Sequence, residues 1–133
     1  MFISKKSIIG IVKLSGIIST ETRLGSRGGL NLNDLSDSLT KAFSFKNIKA
    51  IVLLVNSPGG SPVQSALIAN RVRDLAREKE IPVYCFIEDL AASGGYWLSC
   101  AADKIYAMES SIIGSIGVIT SGFGAVEAIK KIG

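Results

Sequence analysis

Ala50-Ile51-Val52-Leu53-Leu54-Val55, followed at once by Asn56-Ser57-Pro58-Gly59-Gly60-Ser61-Pro62, is the stretch on which the fold turns. An unbroken apolar run rich in β-branched residues reads as a central strand covered on both faces. The residues after it stop the strand and start a helix. Pro58 presets φ for a tight turn, Gly59 tolerates the positive φ of a type II turn, and Gly60 leaves a bare N–H facing outward. Ser61 can cap the helix, Pro62 suits its first position, and Gln64 stands where a capping box needs it. Residues 63–79 then carry Ala66, Leu67, Val72, Leu75 and Ala76 as an inner stripe, ending before Pro82. Strand, glycine turn and helix make an α/β unit. Taken alone, the turn is equally a plain connector. A phosphate cradle fits less well, because the glycine spacing matches neither the dinucleotide fingerprint nor a Walker loop.

Upstream, Lys5 and Lys6 precede an apolar run that Lys13 interrupts too soon for a signal segment or a membrane span. Ile8 to Leu14 is therefore expected to be a first buried strand. Ser15 to Gly29 is a polar, glycine-rich connector carrying Arg23 and Arg27, long enough to be a functional loop. Leu32, Leu35, Leu39, Ala42 and Phe43 recur at helical spacing, with Asn31 or Asn33 as the cap.

Downstream, Pro82 to Ile87 reads as another strand, followed by Glu88-Asp89-Leu90-Ala91-Ala92-Ser93-Gly94-Gly95-Tyr96-Trp97-Leu98-Ser99-Cys100. This is the strand, sharp turn and helix pattern again. It places Ser93 at a helix N-terminus, where the first N–H groups have no intrahelical partner. A side-chain oxygen there serves either as a cap, the more ordinary role, or as a nucleophile. Gly94 and Gly95 lack a Cβ and let a carbonyl approach the backbone closely. Lys104 to Met108 is expected to be a strand, Ile112 to Thr120 a glycine-punctuated extended stretch, and Gly124 to Ile132 the start of a helix. The expected organisation is a single domain over residues 1–133, cut short at its C-terminal end.

With 133 residues, 47% of them apolar, the chain is one globular domain's worth. Its net charge of +4 is scattered over Lys5, Lys6, residues 71–79, Lys130 and Lys131, which suits helix surfaces and argues against nucleic-acid binding. There is no histidine, so a Ser-His-Asp triad within the chain is excluded. Cys85 and Cys100 lie in apolar runs and are expected to be buried free thiols. Neither a metal cluster nor a cofactor motif is visible.

Parallel α/β sheets place such glycine turns on one rim, where these folds bind ligands. The N–H groups of Gly60 and Gly94 can then converge on one oxygen beside Ser93 Oγ, a nucleophile with two oxyanion donors, suited to acyl transfer.

Four segments occur in order: Val55-Asn56-Ser57-Pro58-Gly59-Gly60-Ser61, Glu88-Asp89-Leu90-Ala91-Ala92-Ser93-Gly94-Gly95-Tyr96, Ala102-Asp103-Lys104-Ile105 and Gly114-Ser115-Ile116-Gly117-Val118-Ile119. Together they closely resemble the signal peptide peptidase A family of bacterial serine proteases, with the SohB-like branch nearest. The resemblance implies a fold similar to Clp protease and the crotonases, built of stacked strand-strand-helix units, with its C-terminal part missing from this chain. It implies an enzyme of the bacterial cell envelope, associated with the inner membrane or periplasmic, that cleaves residual signal peptides and other peptides as a homo-oligomer without a cofactor. By position, Ser93 matches the nucleophile and the N–H groups of Gly60 and Gly94 the oxyanion donors. The family's general base is a lysine lying further from the serine than Gly133, so it is not in this chain. A reading from another class stays open: a crotonase-like acyl-binding module whose two N–H groups hold a thioester oxygen and whose Ser93 is only a cap.

Overall fold

The computed structural model describes residues 6–20, 29–118 and 130. The expected helix over Gly124–Ile132 (apart from Lys130), Arg23 and Arg27 of the connector, and Ile119 and Thr120 lie outside the described residues.

Among the described residues eight elements follow one another: β1 (Ile8–Ser15), α1 (Leu32–Ser44), β2 (Ile48–Ser57), α2 (Pro62–Lys79), β3 (Val83–Ala92), α3 (Gly94–Ser99), β4 (Lys104–Ala107) and β5 (Ile112–Gly114). The sheet order is β1-β2-β3-β4, all pairings parallel, with β5 joined to the far end of β3. Every strand therefore ends on the same rim. This is the α/β architecture expected of strand and helix alternation.

Burial along β1 to β3 alternates with the pleat. Val12 and Leu14, Ile51, Leu53 and Val55, and Val83, Cys85 and Ile87 point to one face. There they meet Leu39 and Phe43 of α1, Ile68, Val72 and Leu75 of α2, and Leu98 of α3 in a single core. The opposite face is apolar as well, yet Ile9, Ile11, Phe86 and Tyr106 stand exposed on it, the last two with rings stacked at 4.9 Å. The expectations of a buried β1 and of a β2 covered on both faces are thus corrected. Val52 and Leu54 are half-buried, because an unbroken apolar run reports that both faces are apolar and not that both are covered.

Two helix readings also shift. The buried stripe of α2 runs through Ser65, Ile68, Ala69, Val72, Leu75 and Ala76, while Leu67 is exposed. Ser61 Oγ accepts the Gln64 N–H at 3.3 Å, one half of a capping box. Its reciprocal half is absent, because the Gln64 side chain accepts the Leu32 N–H at 2.9 Å and so ties α2 to the start of α1. Asn31 is the cap of α1, accepting the Asp34 N–H at 2.9 Å.

β3 bends at its middle. Between the pairs Val55↔Ile87 and Ser57↔Ala91, two steps along β2 are matched by four along β3, a bulge made of Glu88, Asp89 and Leu90. Asn56 Nδ2 donates to Asp89 Oδ2 at 2.8 Å and holds the bulge to β2. Before it, β3 pairs with β4; after it, Leu90–Ala92 pairs with Ile112–Gly114. β1 likewise continues past Gly16 (φ +102) into Ile18, which bridges Leu30 and Gly60. Each helix thus follows a long strand segment and a short re-aimed one, a strand-strand-helix unit.

Asp103 locks the other end of the sheet. Its N–H donates to the Val83 carbonyl at 2.8 Å, its Oδ2 accepts the Val83 N–H at 2.8 Å, and its Oδ1 pairs with Arg73 at 2.8 Å. The Val83 N–H first, and the Arg73 guanidinium second, hold its carboxyl below the usual carboxylate range. A folded-state pKa depressed in this way adds stability above the unfolded value near 3.9, and that stability is lost as pH falls through the folded value. Asp103→Ala is expected to lower unfolding stability at pH 7 by about 1 kcal/mol, kept modest because the side chain is 43% exposed. Urea titrations at pH 7 and pH 3 check this: the gap between the two proteins narrows at the lower pH, and a gap independent of pH contradicts the role.

Candidate active site

Ser93 terminates β3 and precedes α3 with φ 52 and ψ −119, a conformation that residues bearing a Cβ rarely adopt. Its N–H donates to the Gly114 carbonyl at 3.0 Å and its carbonyl accepts the Trp97 N–H at 3.1 Å. β5 on one side and α3 on the other therefore hold the strained residue in place. Its side chain makes no capping bond. The cap reading leaves Ser93 without a partner for its hydroxyl, whereas a sharp strand-to-helix elbow presenting a serine is the shape used for nucleophiles.

The turn after β2 lies against this elbow. Gly59 is buried with φ +93, and a Cβ there would come within 2.7 Å of both the Ala92 carbonyl oxygen and the Gly94 nitrogen, and 2.9 Å of Ser93 Cβ. The positive φ expected from the sequence is present; the requirement for space is a second, stronger reason for glycine. Gly94 and Gly95 are equally tight. A Cβ on Gly94 would meet Ser65 Oγ at 2.3 Å, and one on Gly95 would meet the Ser57 carbonyl oxygen at 2.4 Å. Their glycine identity packs α3 against α2 and β2, in addition to leaving room for a substrate.

Ile18 sets the direction of the Gly59–Gly60 peptide, a residue that motif reading passed over because it sits in the glycine-rich connector. Its N–H donates to the Gly59 carbonyl at 2.8 Å, and its own carbonyl accepts the Ser61 N–H at 2.8 Å. The carbonyl and the N–H of one trans peptide point in opposite directions. With the Gly59 carbonyl turned to Ile18, the Gly60 N–H turns away from Ile18, and Gly60 lines the same cavity as Ser93. The Gly94 N–H belongs to the first turn of α3 and has no intrahelical partner.

That cavity has a volume of about 500 Å³. Gly60, Pro62, Ser93 and Gly94 line one side, Tyr96, Trp97 and Cys100 of α3 another, and Ile116, Gly117 and Val118 the rest. Among the described residues no charged side chain lines it. The structure thus brings together Ser93, Gly60 and Gly94 as the sequence placed them. Cys85 is buried as expected, its thiol pKa pushed up chiefly by burial. Cys100 is not: it is exposed at the cavity wall, because α3 is too short for its last turn to be covered.

No lysine among the described residues lines the cavity. Lys104 faces Tyr84 at the start of β3, whereas Ser93 follows its end. At about 3.3 Å per residue, shortened by the bulge, that separation is on the order of 25 Å, so Lys104 does not reach Ser93. Lys130 is exposed, and Lys131 lies outside the described residues.

Gly60 is itself constrained by packing: at its φ of +142 a Cβ would strike the Ile18 carbonyl oxygen. Substitution at this position tests folding as much as access to the cavity.

Residues 75–133 match the family model described as Peptidase family S49. A Brucella melitensis protein named Na(+)/H(+) antiporter NhaA is 50% identical over 126 residues, 94% of this chain and 17% of that protein. A putative signal peptide peptidase SppA of Enterococcus faecium is 41% identical over 127 residues, covering 92% of this chain and 37% of that protein. The chain thus spans well under half the length of these relatives, and the antiporter name covers a polypeptide of which it matches 17%. A solved structure of the 1510-N membrane-bound stomatin-specific protease, in mutant form, aligns with a TM-score of 0.64 at 20% identity over 96% of this chain and 59% of that one. This likeness shows the Clp protease-like fold.

The contact between turn and elbow can be checked by substitution. Gly59→Ala is expected to cost about 1–3 kcal/mol or more, since backbone atoms cannot move aside and the φ is positive. Gly114→Ala, where a Cβ meets nothing within 4 Å, is expected to cost under about 0.5 kcal/mol. Urea midpoints of the two variants, falling together, would contradict the close contact.

Proposed function

We propose that the chain, whose residues 75–133 match peptidase family S49, is the core of a serine peptidase in which Ser93 is the nucleophile and the N–H groups of Gly60 and Gly94 form the oxyanion hole. The observation that carries the reading is Ser93 itself: a strained, uncapped serine on the wall of a cavity, against the turn that presents Gly60. Ser93 Oγ attacks the scissile carbonyl carbon, its proton passes to a base, and the carbonyl π electrons become the oxyanion charge that the two N–H groups receive. Collapse of this tetrahedral species breaks the C–N bond and returns the proton to the leaving amine. Water then hydrolyses the acyl-enzyme by the same route.

With no histidine in the chain, a lysine is the base we propose, supplied from beyond Gly133 by the same or a neighbouring subunit. It acts as a base only when neutral, and desolvation in a closed site lowers an ammonium pKa in the required direction. The substrates we propose are residual signal peptides and other peptides. The uncharged wall of Pro62, Tyr96, Trp97, Ile116 and Val118 suits an apolar side chain. The exposed apolar sheet face around Ile9, Ile11 and Phe86 supports assembly with further copies of the chain. The site of action we propose is the membrane of a bacterial envelope. No helix among the described residues is long and apolar enough to cross a membrane.

In the full-length protein, Ser93→Ala is expected to abolish peptide hydrolysis and labelling by a serine-reactive phosphonate while leaving the melting temperature within a few degrees. Retained hydrolysis would remove the nucleophile from the account. A melting temperature that acyl-CoA raises in both proteins would instead favour the acyl-binding module. Residues 1–133 alone are expected to show neither hydrolysis nor labelling; labelling of the isolated chain that is lost on Lys104→Ala would place the base within it.

A further inference from the structure

We propose that Ser57 is a positioning residue that aims the Gly60 N–H into the active-site cavity. The proposal rests on the reading of Ser93 as nucleophile and Gly60 as oxyanion donor. Ser57 ends β2 and is 0% exposed, so its hydroxyl must find its partners within the protein. Its Oγ donates to the Gly16 carbonyl at 2.6 Å and accepts the Gly59 N–H at 3.1 Å, so both its capacities are used.

The need for such a device follows from the turn's own chemistry. Gly59 and Gly60 have φ values of +93 and +142, and neither carries a Cβ to resist rotation of the peptide between them. A flip of that peptide would withdraw the Gly60 N–H from the cavity and put the Gly59 carbonyl oxygen in its place, where its dipole repels a developing oxyanion. Two hydrogen bonds fix Gly59 from either side of its Cα: one holds the carbonyl of the peptide that would flip, and the other holds the preceding Pro58–Gly59 peptide against which it would rotate. Ile18 N–H holds the Gly59 carbonyl, and Ser57 Oγ holds the Gly59 N–H. Only the second belongs to a side chain. Ser57 is also braced from behind, since its own carbonyl oxygen and Cβ lie against Gly95, leaving no space for a Cβ there. One residue therefore ties the end of β1, the oxyanion turn and the elbow helix together. A donor that loses its aim costs transition-state stabilisation and leaves ground-state binding in the apolar cavity largely intact, which predicts an effect on kcat and not on KM.

The test compares Ser57→Ala, Ser57→Cys and Ser99→Ala in the full-length protein with a small peptide substrate, with rates normalised to the folded fraction. Ser99 is the matched control: it is equally buried, and its hydroxyl donates to the Gly95 carbonyl at 3.1 Å within α3 and not to the turn. Expected is a fall in kcat of about tenfold to a hundredfold for Ser57→Ala with KM within about twofold, and kcat near wild type for Ser99→Ala. Ser57→Cys, close in shape and a weak hydrogen bonder, is expected to show the same kcat loss even if the alanine variant fails to fold. Unchanged kcat in the cysteine variant, or an equal loss in Ser99→Ala, overturns the proposal and leaves Ser57 as core packing. Phosphonate labelling of the wild type separates the two levels. An unlabelled Ser93 overturns the nucleophile reading and this proposal together, whereas a labelled Ser93 with an unaffected Ser57 variant overturns this proposal alone.

Discussion

The contact between Gly59 and the Ser93–Gly94 elbow is the constraint from which the rest of the site follows. Two backbone segments from different strand ends meet there with no room for a single added carbon, 2.7 Å being the distance at which a Cβ on Gly59 would find the Ala92 oxygen and the Gly94 nitrogen. Contact that close fixes the relative position of the Gly60 and Gly94 peptides without any side chain intervening. An oxyanion hole needs this kind of preorganisation, because donors that must move during the reaction forfeit much of their electrostatic advantage.

The sheet delivers that contact through its register. Parallel pairing brings the ends of β2 and β3 to one rim, but a flat pairing would not turn the two segments toward each other. The bulge at Glu88, Asp89 and Leu90 re-aims the last residues of β3 so that Ser57 pairs with Ala91 and β5 takes over the free edge. At the opposite end, Asp103 fastens the starts of β3 and β4 through both of its backbone and side-chain bonds to Val83. The strained φ of Ser93 persists because the surrounding ladder holds it at both its N–H and its carbonyl.

Much of this was legible from the chain. The apolar runs, the Pro-Gly-Gly turn and the Ser-Gly-Gly step located the strands and both turns, and Ser93, Gly60 and Gly94 do line one cavity, because each element rests on a local rule of backbone chemistry. What escaped was non-local. Ile18 lies in a stretch with no periodicity, and its bonds to Gly59 and Ser61 depend on where β1 ends relative to β2. Gln64 satisfied a local motif in the sequence but spends its side chain on Leu32, far away in the chain. The stripe of α2 was misjudged because Leu67 is more apolar than Ser65, yet Ser65 faces inward with its hydroxyl satisfied by the Ser61 carbonyl at 2.8 Å. Cys100 was misplaced for a different reason: the apolar run around it gives no sign of a helix that ends after six residues.

The central claim is that the two glycine turns converge on one oxygen beside Ser93, and the most direct measurement is a crystal structure of the full-length protein reacted with a peptidyl phosphonate. The account predicts a covalent bond from Ser93 Oγ to phosphorus, with the phosphonyl oxygen about 2.7–3.1 Å from both the Gly60 and the Gly94 nitrogens. An adduct on Ser93 whose oxygen points away from Gly60, or a Gly59–Gly60 peptide turned with its carbonyl toward the adduct, would contradict it.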